Sequence, residues 1–280
     1  MPELPEVETI ARYLNTHISG KVISDVFVFN PGILRCEETF FTRTLLGAGI
    51  VRVFRRAKLL VFVLDNGYRL IFHLKMTGRM IYSPDGLEAG DKPHLGFALQ
   101  DGSLLCFQDQ RKFGYCALLS KREMEDWDFY AHLGPEPLEM SQEEFVDLFF
   151  RRRAKIKALL LDQKTIAGVG NIYADEALFE AKVPPNAPSD SLGRDRLAKL
   201  FFRLQDVLKK AIQAGGSTFR DYIDASGRPG RFQEQFAVYG RKDKPCPKCS
   251  SRLKTMKVAG RTSTYCPHCQ CREAAVHERG

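Results

Sequence analysis

The chain reads as an α+β protein: an N-terminal antiparallel β-sandwich flanked by helices, then a helical stretch and a cysteine-rich end. Three observations carry this reading. Between residues 21 and 119, short runs rich in Val, Ile, Phe and Leu are separated by Asn66-Gly67, Pro84-Asp85-Gly86 and Asp101-Gly102, the punctuation of antiparallel strands. From residue 141 to 214 the apolar residues recur at helical spacing instead. Five of the eight cysteines lie within residues 246–271.

Taken in order, Val7, Ile10, Ala11, Leu14 and Ile18 form one helical stripe that stops at Gly20. Pro5-Glu6 suits its first turn, where a missing N–H costs nothing and an acid meets the positive end of the dipole. Strands are predicted at 21–30, 50–56, 59–64, 68–75, 78–82, 95–100 and 103–119, with a helix near 37–46 interrupting them. Leu133-Gly134-Pro135-Glu136-Pro137 turns the chain out of the sheets, and Ser141 with Glu144 spells a capping box. Helices follow at 141–150, 155–162, 171–181 and 193–214. The last aligns Leu197, Leu200, Phe201, Leu204, Val207, Leu208 and Ala211, and Gly215-Gly216 closes it. The expected division is 1–134 for the sandwich, 135–240 for the helical domain, 241–272 for the cysteine module and 273–280 for a tail.

A composition 44% hydrophobic and 27% charged is that of a soluble globular protein. No apolar run approaches the ~18 residues of a membrane span, and the acidic N-terminus lacks the regions of a signal peptide. The expectation is an intracellular protein with no membrane partner. Of the net charge of +8, residues 241–280 supply 10 Lys/Arg against 3 Asp/Glu, and residues 1–240 hold 32 against 31. A compact basic module on a nearly neutral body predicts a polyanionic partner.

Cys246 and Cys249, then Cys266 and Cys269, are two Cys-x-x-Cys pairs with sixteen residues between them. Each pair clamps one side of a tetrahedral ion, so a single structural zinc is expected, with no open position for a water nucleophile. Two disulfides are the alternative, which a reducing compartment disfavours. Cys271 is a further thiol beside the set, and Cys36, Cys106 and Cys116 are expected as reduced core residues. Arg261 falls near the tip of the hairpin that the metal would hold, or is a solvated loop charge.

Met1-Pro2-Glu3 offers different chemistry. Removal of Met1, which a small second residue permits, leaves Pro2 with a secondary α-amine whose ordinary pKa is about 7.7–8.0. Such an amine attacks a sugar C1′ to give an iminium, an electron sink for elimination, and Glu3 is placed to move protons. The plainer reading is a tolerated terminal proline ahead of a helix. Lys58, after Arg55-Arg56-Ala57, is either a strand-end surface lysine or a group aimed into a cleft. Gly168-Val169-Gly170-Asn171 at a helix start offers bare N–H groups to a phosphate or is a packing turn. Arg151, Arg152, Arg153, Lys155 and Lys157 precede it. Met76, Arg111 and Phe113 sit where strands meet turns, either as core or as side chains that fill the hole left by an extruded base.

Together these pieces resemble the bacterial formamidopyrimidine-DNA glycosylase (8-oxoguanine DNA glycosylase) family, shared with endonuclease VIII. The resemblance runs from Pro2 to about Cys269 and rests on Pro2-Glu3-Leu4-Pro5-Glu6-Val7-Glu8-Thr9, on Arg55-Arg56-Ala57-Lys58, on Gly168 to Ala174, on Val238-Tyr239-Gly240-Arg241 and on the cysteine ribbon. It implies a helix-two-turn-helix around Asn171, a zinc ribbon, and a bifunctional glycosylase/AP lyase that removes oxidised purines from damaged double-stranded DNA by β,δ-elimination. It makes Pro2 the Schiff-base nucleophile, Glu3 a proton donor, Lys58 the acid for β-elimination and Arg261 the group assisting δ-elimination. It puts His94, Arg111, Arg153 and Asn171 on DNA, and makes Met76, Arg111 and Phe113 the void-filling trio. A monomer in the bacterial cytoplasm, associated with the nucleoid, is expected. Gln110-Arg111-Lys112-Phe113 departs from the family's usual Pro-Arg-Arg-Phe, and Cys271 and the tail have no role in it. Two rivals remain: an endonuclease VIII-like enzyme for oxidised pyrimidines, disfavoured by Leu4 where that branch usually has Gly, and a non-catalytic zinc-ribbon DNA-binding protein.

Overall fold

The computed structural model describes residues 1–85, 93–218 and 222–271; Gly86 of the second predicted turn and the tail at 273–280 lie outside them. The chain forms two compact units, one of Met1–His132 with Ile212–Arg231, the other of Leu133–Ala211 with the residues from Phe232 on.

In the first unit, α1 (Leu4–Ile18) leads into β1 (Ile23–Val28), α2 (Glu38–Leu45), β2 (Ile50–Arg56), β3 (Leu59–Leu64), β4 (Tyr68–His73), β5 (Gly78–Ser83), β6 (Leu95–Leu99), β7 (Leu104–Asp109), β8 (Tyr115–Ser120), α3 (Lys121–Asp126) and α4 (Asp128–Ala131). The strands pair as two antiparallel four-stranded sheets, β1-β6-β7-β5 and β2-β3-β4-β8. Their facing residues close a single core, in which Phe72 of one sheet meets Phe97 and Phe107 of the other. The α1 stripe Val7, Ile10, Ala11, Leu14 and Ile18 belongs to the same core, so the helix that carries the N-terminus is fixed to the sandwich by apolar burial.

The predicted single run at 103–119 is two strands in different sheets. The break comes from Asp109, whose carboxylate accepts the amides of Arg111 at 3.2 Å and Gly114 at 2.6 Å and so turns the chain back. Helices α3 and α4 were not anticipated, although Ser120 and Glu123 make a reciprocal capping box at the start of α3. The segment after residue 212 returns to this unit. Ser217 bridges Arg231, the Gly230 amide donates to Thr218 Oγ1 at 2.9 Å, and Ala225 is wholly buried with its carbonyl bound to the Tyr82 amide.

The second unit contains α5 (Gln142–Phe150), α6 (Ile156–Leu161), α7 (Asn171–Glu180), most of α8 (Arg194–Gln213), and the hairpin β9 (Lys254–Val258) and β10 (Arg261–Tyr265). The Ser141–Glu144 capping box opens α5. All seven predicted apolar positions of α8 are buried. Glu176 on α7 is buried and accepts the amides of Ala237, Val238 and Tyr239 at 2.9, 3.0 and 2.8 Å, which pins the chain entering the ribbon. Among the described residues no helix is long and apolar enough to cross a membrane.

Candidate active site and zinc ribbon

Pro2 is buried beneath an exposed Met1, directly ahead of α1. Glu3 is the N-cap of that helix, 3% exposed, and exchanges capping hydrogen bonds with Glu6. The Glu3 amide donates to Glu6 Oε2 at 2.8 Å, and Glu6 Oε1 accepts the Ser217 amide at 2.8 Å. A Cβ at Gly216, where φ is +82°, would stand 3.0 Å from that same oxygen. Only glycine permits the close approach that lets the returning segment lock the start of α1.

Lys58 lies in the two-residue turn between β2 and β3 and is 8% exposed, so it is not a surface lysine. Leu59 beside it pairs with His73 on β4. His73, which the sequence reading passed over, is 7% exposed, and its Nδ1 accepts the Lys75 amide at 3.1 Å. Burial first, then the charges of Lys75 and Lys58, lower its pKa to about 3, so the ring is neutral at pH 7. A lone histidine in an apolar strand carries no sequence signal beyond that of a core residue.

Asp109 organises the other edge of the sandwich. Besides the two loop amides, its carboxylate accepts the Thr77 hydroxyl, and its carbonyl takes the His94 Nε2 hydrogen at 2.7 Å. One residue therefore gathers the turn with Met76, the loop with Arg111 and Phe113, and His94. Met76 is 41% and Phe113 56% exposed, so neither is a core residue. The exposed Arg111 guanidinium lies 4.8 Å from the Phe113 ring centre, within cation–π reach.

In the second unit, Gln163 ties the glycine turn by accepting the Gly168 amide and donating to the Val169 carbonyl. Asn171 then opens α7, and its Nδ2 donates to the Thr262 carbonyl at 3.1 Å, leaving one N–H of that amide for another acceptor. Arg153 is exposed, 3.9 Å from Asp190. Lys157 does not belong to the surface run with it: its side chain is wholly buried against Asp175, because an ion pair on α7 draws it inward. Arg261 is exposed at the first position after the Ala259-Gly260 turn, both of whose φ angles are positive, as a tight β-hairpin requires. The Sγ atoms of Cys246, Cys249, Cys266 and Cys269 lie within 4.8 Å of one another and are positioned to bind one zinc ion; Cys271 stands outside the set. Four thiolates complete a tetrahedral shell, so the residues fit a structural metal.

Residues 1–116 match the formamidopyrimidine-DNA glycosylase N-terminal domain family, residues 133–222 the H2TH domain family of the same enzymes, and residues 243–271 the zinc finger found in FPG and IleRS. A sandwich with this terminus, joined to those two modules, defines a DNA-repair glycosylase of the helix-two-turn-helix class. The formamidopyrimidine-DNA glycosylase of Desulforamulus reducens is 43% identical over 274 residues, covering 96% of this chain and 99% of its own. A Lactococcus lactis FPG mutant bound to DNA containing Fapy-dG superposes with a TM-score of 0.89 at 33% identity, covering 97% of this chain and 100% of its own. The wild-type Lactococcus lactis protein bound to DNA containing an oxidised pyrimidine gives 0.87 at 33% identity and the same coverage. The chain belongs to the formamidopyrimidine-DNA glycosylase family.

Proposed function

We propose that this protein is a monomeric, zinc-containing DNA glycosylase and AP lyase that removes oxidised purines from duplex DNA in the bacterial cytoplasm, working at the nucleoid. The observation that carries the reading is the buried Pro2-Glu3 pair at the head of a helix that belongs to the sandwich core. A nucleophile on such an element is held in one orientation, which lowers the entropic part of the barrier to attack.

With Met1 removed, the Pro2 nitrogen attacks C1′ of the damaged nucleotide; Glu3 gives its proton to the departing base, then takes up the proline N–H proton and passes it to the ring oxygen as that bond to C1′ opens to the iminium. The resulting iminium acidifies C2′–H, and loss of that proton expels the 3′-phosphate. Lys58 serves as the acid for this β-elimination. A second elimination expels the 5′-phosphate with help from the Arg261 cation. His94, Arg111, Arg153 and Asn171 hold the DNA backbone and the opposite strand, while Met76, Arg111 and Phe113 occupy the space the extruded nucleotide leaves. The zinc supplies no chemistry; it holds the hairpin that carries Arg261.

The relative bound to an oxidised pyrimidine supports a second reading, a substrate range that includes such bases. Excision rates on duplexes carrying 8-oxoguanine, formamidopyrimidine or thymine glycol separate the two. Borohydride added during turnover is expected to reduce the iminium and leave DNA on the N-terminal peptide. Undiminished trapping by enzyme that retains Met1 would remove Pro2 from its role.

A further inference from the structure

Arg55 is on strand β2, yet its side chain is only 4% exposed. Its Nε donates to Glu8 Oε2 at 2.9 Å, and its Nη1 donates to the Ala57 carbonyl at 3.0 Å. Glu8 lies on α1, the helix that Pro2 precedes, and its other oxygen accepts Arg12 Nε at 2.7 Å. Burial pushes the Glu8 carboxyl up, but the hydrogen bonds and charges of Arg12 and Arg55 bring it below the ordinary range, so it is a full anion at neutral pH.

The other end of the clamp sits where the backbone needs support. Arg56 pairs with Leu59, so Ala57 and Lys58 alone make the turn, and Ala57 has φ of +54°. Tight turns place glycine at such angles. An alanine there is strained, and the turn is held by its surroundings rather than by its own preference.

We propose that Arg55 is a positioning residue: its guanidinium braces the strained turn against α1 and thereby sets the place of Lys58 relative to the helix that bears Pro2. The proposal rests on the reading of Lys58 as the elimination acid. The planar fork reaches the carboxylate from Nε and the carbonyl from Nη1, two nitrogens held in fixed directions, a geometry that the single nitrogen of a lysine on its flexible stem does not reproduce. A displacement of about 1 Å at a reacting group costs on the order of 100-fold in rate, so a loosened turn slows the Lys58 step while Pro2, held by the apolar face of α1, keeps its own.

The test is a single-turnover comparison on DNA with one abasic site, measuring borohydride-trapped adduct and strand nicking separately for R55A, R55K, E8Q and R55A/A57G, with K58Q alongside and a melting curve for each. The expected result is that R55A and R55K slow nicking about 10- to 100-fold relative to adduct formation. E8Q shifts the same ratio less, and A57G recovers part of it in the R55A background by relaxing the turn. If both steps fall together in R55A, in proportion to its loss of melting temperature, Arg55 is structural only and the proposal is overturned; R55K and E8Q decide the point if R55A does not fold. If K58Q nicks at the wild-type rate, the assignment of Lys58 fails and the proposal fails with it. Slow nicking by K58Q with an unchanged ratio in every Arg55 variant overturns the positioning role alone.

Discussion

Lys157 Nζ and Asp175 Oδ1 meet at 2.6 Å with both side chains at 0% exposure. The pair joins α6 to α7 and extends to the hairpin: Lys157 also donates to Ser263 Oγ at 2.5 Å, and the Thr264 amide donates to Asp175 Oδ2 at 3.0 Å. Burial raises the Asp175 carboxyl above its ordinary range, and Lys157 is the largest influence drawing it back down. The register of β10, which begins at Arg261, is therefore set by a polar contact with the two helices rather than by the metal alone.

Removing Lys157 leaves that carboxylate buried without its counter-ion. K157A is expected to cost about 3–5 kcal/mol of stability, seen as a lower melting temperature, and to weaken DNA binding. K157M/D175N, which removes both charges at similar volume and keeps an amide oxygen for the Thr264 N–H, should recover most of the stability. A K157A melting curve within a degree of wild type would refute the account.

His73 makes stability depend on pH. Its folded pKa of about 3 lies below the ordinary 6.5. Between those values the unfolded chain binds a proton that the native ring does not, so this contribution is complete above about 6.5 and is lost as pH falls toward 3. The slope approaches 1.4 kcal/mol per pH unit. Denaturant unfolding at pH 6.5 and 4.5 should show wild type losing about 2 kcal/mol more than H73Q. Equal losses would mean that the ring is not held neutral by its burial.

What was legible in the sequence was what a local pattern encodes. The α1 stripe from Val7 to Ile18 and the spacing of Cys246, Cys249, Cys266 and Cys269 are repeats in sequence, and each gives an element or a cluster in space. Asp109 is different: the apolar run from 103 to 119 is continuous in composition, and only the carboxylate's choice of the Arg111 and Gly114 amides cuts it in two. Partner choice is equally hidden for Glu8 and Arg55, 47 residues apart, and for Lys157, which reads as one more cation of a basic run until Asp175 is seen beside it. Charged side chains carry no mark of which opposite charge they meet.

The exposure of Phe113 decides what its truncation tests. A ring 56% exposed, under the Arg111 guanidinium, contributes little to packing, so F113A should leave the melting temperature almost unchanged, as for most surface substitutions. A buried phenylalanine would instead cost about 3–5 kcal/mol. Extrusion of a base costs a few kcal/mol of stacking and pairing, which side chains entering the vacancy offset. Without the ring, excision from a lesion-containing duplex should slow about tenfold or more, while cleavage of a preformed abasic site, where no base is left to extrude, should change little. The two rates and the melting curve are measured on the same preparation. Equal loss of both activities would show that Phe113 serves DNA binding in general and not the opened stack, because a general contact is made in both substrates and a void-filling one matters only where a base must leave.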